Sequence, residues 1–165
     1  MYILGIDASN ICEGGGVTHL VELLKNSEPE KYGFSKVIVW SNRATLEKIH
    51  DRSWLIKSYD EWTNKSLLTR VYWQRFRLKK VAKSLGCDLL FVPGGLDVSG
   101  FRPMVTMHRN LLPFDWKELL RYGLSVRTIR LIILRFLQSA SYRGADGVIF
   151  LTQYAQGVAL KVTGL

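Results

Sequence analysis

Apolar and polar residues alternate along this chain in blocks. Tyr2-Ile3-Leu4-Gly5-Ile6 is a short apolar run, closed by the polar turn Asp7-Ala8-Ser9-Asn10 and the triplet Gly14-Gly15-Gly16. Val17, Leu20, Val21 and Leu24 then recur at helical spacing. The order predicted is strand, glycine loop, helix. Lys25 to Gly33 is a polar connection containing Pro29. Lys36 to Trp40 is a continuous β-branched run, as in a strand covered on both faces. Ser41-Asn42 can cap a short helix from Ala44 to about His50, and Trp54-Leu55-Ile56 is a further short strand.

A long helix is predicted from Ser66 to Leu85, with Leu67, Val71, Leu78, Val81 and Leu85 on one face and Gly86 where a helix-ending glycine belongs. Asp88 to Val92 is a strand. It is followed by a loop from Pro93 to Pro103, rich in glycine and proline, a length common in functional loops. Met104 to Met107 is the next strand, with His108-Arg109-Asn110 at its carboxyl end. Helices are predicted over Trp116 to Tyr122 and over Ser125 to Tyr142. The second is apolar nearly all round, apart from Arg127, Arg130 and Arg135. A helix of that kind is expected in the core, with contact to lipid or a partner as the alternative. Gly147 to Leu151 is the last strand, and Thr152 can cap a final helix through Val162.

Apolar strands alternating with helices predict an α/β chain: a Rossmann-like, doubly wound, mostly parallel sheet with helices on both faces. At 165 residues, one domain is expected. In such a sheet the loops at the carboxyl ends of the strands share one rim, where ligands bind. Three polar sets fall there: Asp7 to Gly16, Pro93 to Gly100, and His108 to Asn110. The glycines let backbone N–H groups approach an anion at a helix N-terminus. His108 has the chemistry of an acid/base or a hydrogen-bond donor to a sugar hydroxyl or phosphate. Asp7 suits a hydroxyl or a loop cap, and Arg109 suits a phosphate or solvent. His19 and His50 lie on predicted helices.

Charge narrows the class of partner. The chain has 23 basic and 14 acidic residues, a formal net charge of +9, which favours an anionic partner. Lys65 to Lys83 holds seven basic residues and no acidic one. Arg75, Lys79 and Lys83 share a helical face, interleaved with Tyr72, Trp73 and Phe76. That pattern suits a solvated face or an anionic membrane surface with aromatic anchors. No standard nucleic-acid motif is present, so nucleic acid is not expected. The two cysteines, Cys12 and Cys87, form no Cys-x-x-Cys pair. No metal-ligand spacing is found. The start lacks a signal-peptide pattern, and no run of 18 apolar residues predicts a membrane span.

Three segments carry a resemblance: the opening strand with Gly14-Gly15-Gly16-Val17, then Val105-Thr106-Met107-His108 with Leu112-Pro113, and Ala145-Asp146-Gly147-Val148-Ile149-Phe150-Leu151-Thr152. In order and spacing they resemble the N-terminal domain of GT-B-fold glycosyltransferases of the group 1 family, which are retaining and use nucleotide sugars. The resemblance implies that residues 1–165 are the acceptor-side half, with a second Rossmann-like donor-binding domain in cis outside this chain. The chain alone is then expected to be inactive. Gly15 and Gly16 would approach the donor diphosphate, and His108 would contact the donor sugar and support catalysis. Asp7, Asn10, Gly95 and Arg109 are the acceptor-binding candidates. Arg109 stands where the family commonly has an acidic residue. The family implies no cofactor and no metal, since the nucleotide sugar is a co-substrate. It implies a glycan or lipid-linked acceptor in cell-surface polysaccharide or lipopolysaccharide synthesis. It also implies a cytoplasmic location, peripheral on the membrane face. A non-catalytic basic domain that binds an anionic membrane or a partner protein is the alternative.

Overall fold

The computed structural model describes residues 1–116, 121, 123 and 125–164. Six strands form one sheet: β1 (Tyr2–Asp7), β2 (Phe34–Ser41), β3 (Leu55–Tyr59), β4 (Leu89–Val92), β5 (Met104–His108) and β6 (Gly147–Phe150). Their order is β3-β2-β1-β4-β5-β6, and every adjacent pair is parallel. The helices are α1 (Gly15–Lys25), α2 (Arg43–Leu46), α3 (Leu67–Trp73), α4 (Lys79–Ser84), α5 (Val126–Gly144) and α6 (Gln153–Thr163), with a π turn over Gln74–Leu78 joining α3 to α4. This is the expected Rossmann-like doubly wound α/β fold. The winding direction reverses between β1 and β4, which makes that boundary the topological switch point.

Alternation along each strand divides the core in two. Ile6, Val37, Val39, Phe91 and Met107 face α1 and meet its Val17, Leu20 and Leu24. Ile38, Trp40, Leu90, Val92 and Met104 point the other way and meet Trp73, Leu78 and Ala82. Right-handed crossovers require this split, because connections running in opposite directions along the sheet lie on opposite faces. On the α1 face an apolar groove of about 510 Å³ runs over Leu89, Phe91, Val105, Met107 and Ile149.

Helix starts follow the sequence. Asn42, Ser66, Ser125 and Thr152 each accept a backbone N–H from three residues on, the N-cap geometry those residue types favour. The long basic helix is phased differently from its aliphatic pattern. Leu67 and Leu85 are exposed, whereas Trp73, Gln74, Leu78 and Ala82 are buried. The π turn causes the change: its wider winding brings Trp73 and Leu78 onto one face. Trp73 therefore belongs to the core and not to the outer aromatic set. The expected core placement of the helix from Ser125 is also overturned. Its inward residues are mainly polar, and Val126, Ile129, Ile133, Phe136 and Leu137 are exposed. The helix expected over Trp116 to Tyr122 falls largely outside the described residues.

Two aspartates fix the amino-terminal edge of the sheet. The Asp88 N–H donates to the Ile3 carbonyl at 2.9 Å, and the Ile3 N–H donates back to Asp88 Oδ2 at 2.8 Å. Asp146 repeats the arrangement on Met104: its N–H reaches the Met104 carbonyl at 2.8 Å, and its Oδ2 accepts the Met104 N–H at 2.8 Å. Each strand start thus pairs with its neighbour through both backbone and side chain, which sets the register at that end.

Candidate functional site

β1 ends in Asp7, a buried carboxylate at the switch point. Its Oδ1 accepts the Ser9 N–H at 3.0 Å, and its Oδ2 accepts Gln74 Nε2. Burial raises the Asp7 pKa above its ordinary value, and the Asp97 carboxylate nearby adds to the rise. Gln74, presented by the π turn, also donates to the Leu96 carbonyl at 2.9 Å and accepts the Val98 N–H at 3.3 Å. One side-chain amide therefore ties the exit of β1 to the loop after β4. The Asp97 N–H is held in turn by Ser141 Oγ of α5 at 2.9 Å.

The glycine loop and the exit of β5 meet directly. Gly14 precedes α1 with φ +66°, a left-handed geometry open to glycine. Arg109 Nη2 donates to the Gly15 carbonyl at 3.1 Å. A Cβ on Gly16 would lie 3.4 Å from Arg109 Nη1, whereas one on Gly15 would meet nothing within 4 Å. The guanidinium thus lies beside the N-terminus of α1, and the two share one sign of potential. Partial burial lowers the Arg109 pKa, but a guanidinium remains charged. His19 follows one turn into α1, and burial and Arg109 both lower its pKa.

His108 lies deeper. It is buried among Phe114, Tyr142 and Phe150, with ring centroids 5.2, 5.8 and 5.6 Å away. Its Nε2 has no hydrogen-bond partner among the described residues. Gly95, with φ +77°, packs beside the polar face of α5. A Cβ there would come within 3.0 Å of Gln138 Nε2, 3.1 Å of the Tyr142 hydroxyl and 3.2 Å of the Met107 carbonyl. Gln138 Oε1 and the Tyr142 hydroxyl are likewise without partners among the described residues, as is Asn10 Oδ1. The structure therefore divides the expected site residues. Gly15, Gly16 and Arg109 form one cluster, and His108 and Gly95 form another with Gln138 and Tyr142. Asp7 is held by Gln74 and Ser9.

Burial lowers the His108 pKa from its ordinary 6.5. As pH falls below 6.5 the unfolded chain takes up a proton that the native imidazole refuses. The stability present above that value is lost as pH falls toward the lower folded pKa. Unfolding free energies from urea titrations between pH 7.5 and pH 5 should drop more for the native sequence than for His108→Phe, by at most about 1.4 kcal/mol per pH unit. Equal slopes for the two chains would disprove the assignment.

Gln74, Gln138 and Tyr142 were not legible as site residues. Gln74 sits inside a basic and aromatic run, and the other two close an otherwise apolar helix. Arg75, Lys79 and Lys83 are exposed on the far side of the α3–α4 unit. Beside them runs a ladder of rings: Trp62 stacks on Tyr72 at 5.2 Å, and Tyr72 lies 4.6 Å from Phe76. Lys65 sits over Trp62 and Arg75 over Phe76. Cys12 is half-buried and Cys87 buried. Burial pushes the Cys87 thiol up to about 11, while the Cys12 sulfur accepts from Arg70 Nη1. Among the described residues no group of three His, Cys, Asp or Glu could hold a metal ion, and no helix is long and apolar enough to cross a membrane.

Compared with protein-family models, curated proteins and solved structures, the chain matches none.

Proposed function

We propose that this chain is the acceptor-side, N-terminal domain of a retaining glycosyltransferase that takes its sugar from a nucleotide sugar. The observation that carries the reading is the meeting of Arg109 with the glycine loop. A guanidinium from the exit of β5 lies beside the N-terminus of α1. When a glycosidic bond to a diphosphate breaks, negative charge grows on the leaving oxygen. Fixed N–H groups and a fixed cation stabilise that charge without reorganising. Gly15 leaves open space for the phosphate oxygens, Gly16 leaves room for the Arg109 guanidinium, and Arg109 supplies the charge. In this reading Arg109, one of the acceptor-binding candidates of the family resemblance, serves the donor side of the cleft.

The remainder of the reading draws on the family resemblance. His108 supports transfer at the donor sugar, and Asp7, Asn10 and Gly95 border the acceptor side. A second Rossmann-like domain in cis holds most of the nucleotide sugar, and the acceptor is a glycan or a lipid-linked glycan. The domain described here is half of the cleft, so its own affinity for the donor is low.

Titration of the chain with a nucleoside diphosphate, followed by amide NMR shifts, tests the anion cradle. Millimolar binding is expected, with shifts concentrated at Gly14 to Val17 and Arg109. Arg109→Gln should weaken it about tenfold, the usual scale for a charged hydrogen bond. No shift, or shifts of equal size in native chain and variant, would refute the cradle.

A further inference from the structure

The inner side of α5 holds polar groups where a core is expected. Gln138 and Tyr142 stand one turn apart on it, and His108 of β5 lies beside them. The three are 4%, 1% and 2% exposed. Yet Gln138 Oε1, the Tyr142 hydroxyl and His108 Nε2 have no hydrogen-bond partner among the described residues. A buried polar atom without a partner bears its full desolvation cost, so native interiors keep few of them. Three gathered in one place indicate a site held ready for a ligand, not a core packed for stability. Gly95, on the loop after β4, closes against the same groups: a Cβ there would stand 3.0 Å from Gln138 Nε2 and 3.1 Å from the Tyr142 hydroxyl.

The chemistry of these groups selects the ligand. An amide carbonyl, a phenol and an imidazole that burial keeps neutral donate and accept but carry no charge. They match the hydroxyls of a neutral molecule and offer no counter-charge to a phosphate. The walls are the rings of Phe114, Tyr142 and Phe150. Aromatic walls with a few convergent polar atoms suit a ring that has apolar C–H faces and a hydroxyl edge. The pocket is shut. Phe114 is buried, lies edge-on to His108 and stacks on Tyr142 at 5.7 Å. It comes from a short turn closed by its own bonds: the Phe114 N–H donates to the Leu111 carbonyl at 2.8 Å, and the Leu112 N–H donates to Asn110 Oδ1 at 3.1 Å. Arg135 on α5 ties that turn down. Its Nη1 donates to the Pro113 carbonyl at 3.1 Å and the Phe114 carbonyl at 3.2 Å, and its guanidinium covers the exposed Trp116 ring at 4.4 Å.

We propose that His108, Gln138 and Tyr142 form a pocket for a neutral sugar ring, and that Phe114 is a plug latched over it by Arg135. The choice of a sugar among neutral hydroxyl compounds rests on the transferase reading, whereas the plug and its latch do not. Ligand entry then requires the turn carrying Phe114 to lift from α5, and the three unpaired groups gain their partners from the sugar.

Two measurements on the full 165-residue chain test this. Tyr142→Phe deletes one hydroxyl, and Gln138→Met replaces the amide by an apolar chain of similar length. Each should raise the folding equilibrium constant about fivefold in urea titrations, because an unpaired buried group is removed. No gain, or a loss, would show that the groups are partnered and overturns the pocket. Diethyl pyrocarbonate, which modifies accessible imidazoles, reads the plug through its rate at His108. The exposed His50 is the reference, and the thiol reactivity of the buried Cys87 monitors general unfolding. Arg135→Gln should speed modification of His108 at least about tenfold with Cys87 unchanged, the mark of a local opening. No acceleration, or equal acceleration of Cys87, overturns the latch. In the Arg135→Gln chain a mixture of glucose, galactose and mannose at about 100 mM should slow modification of His108 at least about threefold. Inorganic phosphate at the same concentration should not. No slowing by the sugars, or slowing by phosphate alone, overturns the proposal. The diphosphate titration at the glycine loop is a separate readout, so failure here with that titration intact removes the pocket and leaves the transferase reading in place.

Discussion

Replacing Trp40 by alanine is expected to remove about 3–5 kcal/mol of stability, the usual cost of deleting a buried aromatic side chain. Trp40 is fully buried in β2, and its six-membered ring lies over Gly5 of the neighbouring strand. A Cβ on Gly5 would meet Trp40 Cζ3 at 2.8 Å and Cη2 at 3.2 Å, and Cys87 Sγ at 3.3 Å. The glycine in the middle of β1 is therefore a socket for the indole, and overfilling it should also be costly. Gly5→Val is expected to cost about 1–3 kcal/mol. The pair is coupled, so the double variant Trp40→Ala/Gly5→Val should cost clearly less than the sum of the two single changes. Urea denaturation of the four chains measures this. Domains of this size hold about 5–15 kcal/mol in total, so Trp40→Ala is expected to be the least stable of the set. Additive costs, or a Trp40→Ala loss under about 1 kcal/mol, would show that the socket does not exist.

In a transferase carrying this domain together with its donor-binding half, His108→Ala is expected to lower turnover about a hundredfold, the lower end of what a positioned acid/base or hydrogen-bonding histidine supplies. His108 stands at the end of β5, and its Nε2 is free of partners among the described residues. Its lowered pKa keeps the ring neutral near pH 7, so one nitrogen can donate and the other accept. The measurement is initial-rate transfer with saturating donor, on protein whose circular dichroism matches the native sequence. Unchanged turnover would reduce His108 to a core residue packed by Phe114, Tyr142 and Phe150. Arg109→Gln provides the contrast. It should act on donor affinity through the diphosphate, so the two variants separate sugar contact from phosphate contact.

The strands could be read from the chain because they are covered on both faces. Lys36 to Trp40 and Asp88 to Val92 are continuous apolar runs that suit few other settings. The caps could be read for a local reason, since Asn42, Ser66, Ser125 and Thr152 satisfy N–H groups three residues ahead. The phase of the basic helix could not. Aliphatic spacing pointed to Leu67 and Leu85, but a π turn rotates Trp73 and Gln74 inward, and that turn has no signature in residue type. The inward face of α5 was illegible for a related reason. A polar face turned toward the sheet has meaning only once His108 and the loop after β4 are seen to lie beneath it. The convergence of rim loops was readable from topology, but the contact between Arg109 and Gly15 spans 94 residues, and no local pattern announces it.

Asp88 and Asp146 have a consequence for how this protein can change. Both act at the amino ends of the strands, so alignment of the sheet is specified at the end opposite the rim loops. Changes in the segments after β4 and β5 leave those two reciprocal pairings intact. The domain thereby divides its work along the strand axis: one end carries alignment, and the other carries the loops that Gln74 and Ser141 tie together. Changes in those loops therefore need no renegotiation of which strand residues face the core.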